Sequence, residues 1–282
     1  MRKIAGILVC LLAMNSPVFA EVVDAQLLKT ITFKEAVLQV AATADGSRIY
    51  LLTNGGKVEI LDQDGNFQGG FDVGPEIISI TPQGKNRLLL EDVGRHELLQ
   101  LELLPRVEIS VTGAPLKGNT DAPVTIAIFD DFECPYCSRS VELLDELVAK
   151  YPEQVRVVFK NFPLKMHKYS QEAALAALAA QRQGQFWTLH DLLFAHYDQL
   201  NSQKIEALAT EAGLDMVRFN QDRSDPQLQE NLAASLAEGK AIGVRGTPTL
   251  FINGRKVQRR TFSAMSRMID EELVRLKQGG GQ

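Results

Sequence analysis

Residues 124–137 read VTIAIFDDFECPYC, so an apolar run of strand length, Val124 to Phe129, leads into Cys134-Pro135-Tyr136-Cys137. An amphipathic stretch, Val141 to Ala149, follows. A strand feeding a helix across so short a turn predicts the start of an α/β unit. Two thiols one turn apart at the start of a helix can close a disulfide with each other, which makes the pair a reversible two-electron store. Other uses of the pair fit less well. Structural zinc needs two more soft ligands, and outside the motif the chain offers only Cys10 and the scattered His96, His167, His190 and His196. As a structural staple, so short a loop gives little entropic stabilisation.

The start of the chain indicates where this chemistry takes place. Met1-Arg2-Lys3 is basic, Ile4 to Met14 is apolar, and Val18-Phe19-Ala20 ends on a small residue. The pattern predicts a secretory signal peptide over residues 1–20, cleaved after Ala20. An uncleaved anchor is the rival reading, and Cys10 as a lipid-modified cysteine fits less well because Gly6 to Val9 does not look like a lipobox. No later stretch approaches the length of a membrane-spanning helix. Cleavage removes Cys10 and leaves Cys134 and Cys137 in an oxidising compartment, the periplasm or the exterior. The formal charge of −5 becomes more negative without Arg2 and Lys3, which favours solubility and argues against a nucleic-acid partner.

A length of 282 residues suggests two domains. Over residues 21–110, short apolar runs (Arg48 to Leu52, Lys57 to Leu61, Ile77 to Ile80, Arg87 to Leu90, Glu97 to Leu103) alternate with turn pairs such as Asp45-Gly46 and Asn54-Gly55. This is an all-β pattern. Sliding 42–62 onto 80–100 without gaps matches Thr43 with Thr81, Gly46 with Gly84, Leu51-Leu52 with Leu89-Leu90, Gly56 with Gly94 and Leu61 with Leu99. It also sets His96, expected at the surface, where Val58 stands. The repeat resembles a propeller blade, but two copies cannot close a ring, so a homodimer through 21–110 or a bound partner is expected to cover it. Residues 111–123, punctuated by Gly113, Pro115, Gly118 and Pro123, read as a linker. From 124 to 278 strands and helices alternate: a βαβ unit, helical stretches over about 168–242, a strand at Thr249 to Ile252, an edge strand near Val257, and a helix from Ser263 to Lys277.

The segments DAPVTIAIFDDFECPYC, RVVFKNFPL, FWTLHDLLF and GVRGTPTLFING resemble, in order and spacing, DsbA-like proteins of the thioredoxin superfamily. The resemblance runs from about Gly118 to the C-terminus. It implies a thioredoxin-like fold interrupted by the helices of 168–242, with a cis proline at Thr247-Pro248 beside the dithiol. It also implies a thiol-disulfide oxidoreductase acting on unfolded or misoxidised secreted proteins and served by a membrane redox partner, with no cofactor beyond the redox-active Cys134–Cys137 disulfide. The N-terminal domain matches nothing in DsbA itself. Disulfide isomerases also carry an N-terminal dimerisation domain, a likeness of architecture alone.

Residue roles follow from chemistry and from the resemblance together. Cys134 is expected at a helix N-terminus, where free N–H groups and the helix dipole favour thiolate over thiol. Its pKa should fall from about 8.5 to roughly 3.5–7. Pro135 suits the first turn, and Cys137, deeper in, serves as the protonated resolving thiol. The Thr247 backbone, turned to the dithiol by a cis Pro248, is expected to pair with an extended client segment. Phe132 and Tyr136 are expected to form an apolar rim, while Trp187 and Phe194 have the spacing of core residues in the inserted helices. Related enzymes hold a buried carboxylate six positions before the first cysteine, where Ile128 stands here. Asp131 is the candidate proton relay, with capping of the turn as its competing role, and Glu133 should oppose thiolate formation if close and dry. His167 lies near the site by resemblance, although a lone histidine at a helix start is more often structural. Two other functions stay open: Cu(I) capture by the thiolates, and a redox-sensing scaffold. Oxidase and isomerase differ in redox poise and oligomer, which sequence does not set.

Overall fold

The computed structural model describes residues 29–279. The expected signal peptide 1–20 and the start of the expected β domain lie outside the described residues. No helix among the described residues is long and apolar enough to cross a membrane. The chain divides into two compact units between Glu102 and Leu103.

The first unit is built of antiparallel meanders. Strands β1 (Val37–Ala42), β2 (Arg48–Thr53), β3 (Lys57–Asp62) and β4 (Phe67–Asp72) form a 4-stranded sheet in that order. Strands β5 (Ile77–Pro82), β6 (Arg87–Asp92) and β7 (Glu97–Glu102) form a 3-stranded one. All the expected runs become strands, and Tyr50 and Leu52 on β2 and Leu88 and Leu90 on β6, which the slide of 42–62 onto 80–100 aligns, are buried. Gly46 (φ 68°) and Gly84 (φ 77°) both hold the left-handed position that opens the preceding turn. The gapless match fails at the next turn. It spans 54–56 between β2 and β3 but 93–96 between β6 and β7, with Gly56 (φ 75°) and His96 (φ 58°) in the last, left-handed place of each.

Two strands went unread in the sequence, β1 and β4, because their patterns run against the usual alternation. On β1 the apolar Leu38 and Val40 point outward, whereas Gln39 points inward and its Oε1 accepts the Ile80 N–H at 2.7 Å, joining the sheets. On β4 paired glycines dilute the apolar signal.

The second unit contains β8 (Leu116–Gly118), β9 (Val124–Asp130), α1 (Pro135–Lys150), β10 (Val155–Asn161), α2 (Ser170–Gln181), α3 (Phe186–Ala195) and α4 (Ser202–Glu211). It continues with α5 (Met216–Arg223), α6 (Pro226–Ala241), β11 (Thr249–Ile252), β12 (Arg255–Lys256) and α7 (Phe262–Gly279). Its 5-stranded sheet has the order β12-β11-β9-β10-β8; β9 and β10 are parallel and the other pairs antiparallel. The stretch 111–123, expected as a linker, therefore supplies an edge strand, β8, too short to stand out among its glycines and prolines. The unit also begins before 110: Arg106 pairs with Glu272 on α7 at 2.6 Å and bridges to Arg255 beside it.

The central strand β9 is apolar on both faces, as a strand covered on both sides must be. Ile126 and Ile128 share one face with Val157, Phe159, Leu250 and Ile252, and pack against α1, α2, α3 and α7. Phe129 and Phe251 point to the other face, with Phe162 and Val244. There α6 approaches closely at Gly239, where a Cβ would sit 2.8 Å from the Phe162 ring. Alternation along β9 thus decides the side on which each following residue emerges. That parity places the acid of the candidate site.

Candidate active site around the dithiol

Cys134 is the N-cap of α1, with extended backbone (φ −85°, ψ 119°) and Pro135 as the first helical residue. Its N–H donates to the Asp131 carbonyl at 3.0 Å, and its own carbonyl accepts the N–H groups of Cys137 (3.0 Å) and Ser138 (3.2 Å). Both cysteines are free thiols, 4% and 0% exposed. The Thr247–Pro248 bond is cis, and the Thr247 carbonyl oxygen lies 3.5 Å from Cys134 Sγ.

This geometry separates the thiols electrostatically. The Cys137 thiol donates to Cys134 Sγ, and the Thr247 side chain and the N–H groups of Cys137 and Tyr136 add to it; together they outweigh burial and bring Cys134 down to about 5. Burial pushes Cys137 far up, and Cys134 and Asp130 push it further. The pair holds one thiolate and one thiol near neutrality.

The neighbouring carboxylates divide differently from expectation. Asp131, the expected relay, is buried, but its carboxylate is occupied: Oδ1 accepts the Glu133 N–H (2.9 Å), while Oδ2 accepts the Leu164 N–H (2.7 Å) and meets His167 Nδ1 (2.8 Å). It pins the turn before α1 to the loop after β10, and His167 belongs to that pin. Asp130 is the acid that faces the dithiol. It follows Ile128 by two positions on β9 and so shares its face, where its carboxyl meets the Cys137 side chain. Asp130 is 3% exposed and its Oδ1 has no hydrogen-bond partner. Burial, chiefly, raises its pKa to about 8, with the charges of Cys134 and Asp131 adding to the rise. Glu133 accepts the Tyr169 N–H through its carboxylate, at 2.5 Å.

The apolar rim also needs correction. Tyr136 is 59% exposed beside the thiolate, as expected, but Phe132 is 1% exposed. Its ring stacks on Phe159 at 5.4 Å and packs against Phe194 and His190, inside the core beneath the site. Phe132 therefore supports the turn from below and cannot touch a client. Phe194 is buried in the same cluster, and Trp187 packs on it through Phe159 at 6.4 Å. Two side chains near the dithiol have no role assigned from the sequence, which sets Asp130 close to the motif beside Asp131 and Glu133. Asp130 was legible from strand parity, whereas Arg260, whose guanidinium donates to the Pro248 carbonyl at 2.8 Å, carried no local signal. Among the described residues no group of three or more His, Cys, Asp or Glu is placed to hold a metal ion.

A dithiol at the start of a helix, beside a cis proline on a mixed sheet, defines a thioredoxin-like protein. Residues 110–271 match the Thioredoxin_4 family model, described as thioredoxin, and the chain belongs to that family. A thioredoxin-like oxidoreductase from Silicibacter pomeroyi DSS-3 is similar at 31% identity, over 57% of this chain and 92% of that one, with a TM-score of 0.53. A periplasmic thioredoxin-like protein from Salmonella enterica serovar Typhimurium is similar at 27% identity, over 57% and 90%, with a TM-score of 0.51. The curated Na(+)/H(+) antiporter NhaA 3 of Salinispora tropica is 40% identical over 142 residues, 50% of this chain, and the match spans only 22% of that relative. The second unit thus has the thioredoxin-like fold, with α2 to α6 between β10 and β11.

Because the Asp130 carboxyl ionises near 3.8 in an unfolded chain and at about 8 in the fold, the unfolded chain binds fewer protons between those values. Stability attributable to this group is complete below the lower value and is lost as pH rises, by at most about 1.4 kcal/mol per unit. Asp130→Asn removes that loss. Urea unfolding of the reduced protein should show the variant gaining on wild type from about pH 4 to about pH 8; parallel pH profiles would contradict the burial of an ionisable Asp130.

Proposed function

We propose that the protein is a thiol-disulfide oxidoreductase that exchanges disulfides with client proteins through Cys134 and Cys137. The observation that carries this reading is Cys134 at the N-cap of α1 with Cys137 one turn inside it, and the Thr247 carbonyl 3.5 Å from Cys134 Sγ at the cis Pro248. Near neutrality that pair offers a nucleophile and a reserve thiol. Cys137 is 0% exposed, so only Cys134 meets an incoming group directly, which favours exchange over Cu(I) capture by both sulfurs.

Cys134 thiolate attacks one sulfur of a client disulfide, forms a mixed disulfide and releases the other client sulfur as a thiolate. With Cys134 tied up in the mixed disulfide, its negative charge no longer raises Asp130, which releases its own proton, takes the one on Cys137 and lets that sulfur attack Cys134 Sγ. The bond between Cys134 and the client breaks, its electron pair leaves with the client sulfur, and the Cys134–Cys137 disulfide remains. The client gains two electrons and the dithiol loses two. Run backward, a client thiolate attacks Cys134, and Asp130 returns the proton to Cys137 as it leaves. An acid with a pKa of about 8 serves in both directions. The relay role therefore passes from Asp131 to Asp130. The Thr247 carbonyl supplies the backbone contact for an extended client, and exposed Tyr136 the apolar one.

The name of the Salmonella neighbour supports a periplasmic setting, consistent with the signal peptide expected over 1–20. Secreted proteins are the proposed clients, and a membrane redox partner resets the dithiol. The first unit is proposed to pair two copies of the chain. Its exposed Leu38, Val40, Phe67 and Leu98 provide apolar surface for that contact, and two dithiols in one particle favour isomerisation over one-way oxidation.

Turnover of insulin or of a reduced refolding client should drop to the uncatalysed background in Cys134→Ser. Cys137→Ser should instead trap client as a mixed disulfide visible on non-reducing gels. Wild-type turnover by Cys134→Ser would overturn the assignment. Light scattering on the full chain is expected to give twice the chain mass; a single chain mass removes the dimer and leaves the oxidase.

A further inference from the structure

Beside the dithiol, the loop after β10 and the end of α6 enclose a groove of about 740 Å³ that the exchange mechanism does not use. Lys165, Lys168, Lys240 and Arg245 line it, and its lining includes no Asp or Glu. In a chain with a formal charge of −5, this is a local reversal of sign.

The backbone adds to that field. Helix α2 opens on the groove with Ser170 and Gln171, and its N-cap, Tyr169, provides no side-chain cap. Glu133 takes the N–H of Tyr169 itself, which leaves the N–H groups of Ser170 and Gln171 to an anion in the groove. Ser170 is 1% exposed and lines the groove, yet its Oγ has no hydrogen-bond partner in the protein. Buried hydroxyls are normally paired, and an oxygen acceptor from outside would satisfy this one.

The groove adjoins the reacting sulfur through both of its walls. His167 and the Leu164 N–H are bound to Asp131, whose backbone carbonyl holds the Cys134 N–H. On the other wall, Arg245 precedes Thr247 by two positions, at most about 7 Å along the chain, and the Thr247 carbonyl lies 3.5 Å from Cys134 Sγ. A client strand passing Thr247 reaches the groove within a few residues of its reacting cysteine. Met166, 82% exposed between Lys165 and His167, offers an apolar contact on the way.

We infer that this groove is a specificity site for carboxylate-bearing polypeptide, selecting clients with Asp or Glu a few residues from the cysteine that reacts with Cys134. The inference rests on the exchange reading. Charges at the rim of a docking site act mainly on association, and salt screens them.

The test uses the full-length protein and two synthetic disulfide peptides that differ only in flanking residues, one with aspartates and one with serines. Stopped-flow rates at low salt should favour the acidic peptide about tenfold, and the ratio should shrink as salt rises. In Lys165→Gln/Lys240→Gln the ratio should fall toward one. Equal rates for the two peptides with wild type, or a ratio untouched by the double variant, would overturn the groove's role while leaving exchange intact. No exchange with either peptide would remove the exchange reading and this inference with it.

Discussion

The Cys137 thiol stands one turn inside α1 from Cys134 and donates to its sulfur, so negative charge stays on the outer atom and the proton on the inner one. Most of the surrounding structure serves that arrangement. A helix N-cap is normally Ser, Thr, Asp or Asn, whose oxygen accepts an N–H of the first turn. Here the N-cap is Cys134 itself, and the N–H groups of Tyr136 and Cys137 lower its pKa. Ionisation makes the sulfur a better acceptor at the position where the helix needs one. Pro135, with no N–H to leave unpaired, fits the first helical place.

Rigidity comes from below and from the side. Phe132 is locked among Phe159, His190 and Phe194, which holds the turn between β9 and α1 against the core. Asp131 ties the same turn to Leu164 and His167, and Arg260 holds the carbonyl of Pro248 opposite. Asp130 is left as the buried acid in contact with Cys137. Its position follows from alternation: related enzymes place their carboxylate where Ile128 stands, and here it emerges one pleat further along the same face of β9.

The α/β half was largely legible because its signals are local. An apolar strand, a proline in a first helical turn and a threonine-proline pair before a strand each announce their neighbourhood, and the helices from α2 to α7 lie within a few residues of where periodicity sets them. Reading failed where the deciding contact is distant. Strand β8 becomes a strand only by pairing with β10, and β1 hides an inward glutamine whose partner, the Ile80 N–H, is remote in sequence. Phe132 looked like a surface aromatic because it adjoins the motif, but its burial depends on α3. Asp131 drew the relay role by family position, and only the loop after β10 reveals that its oxygens are already engaged.

Thiolate absorbance of the reduced protein, followed against pH, tests the central claim most directly. One thiolate should appear with a midpoint at about 5, and the second sulfur should stay protonated through neutral and mildly alkaline pH. A midpoint at about 8.5, the ordinary value for cysteine, or both sulfurs ionising together, would contradict the account.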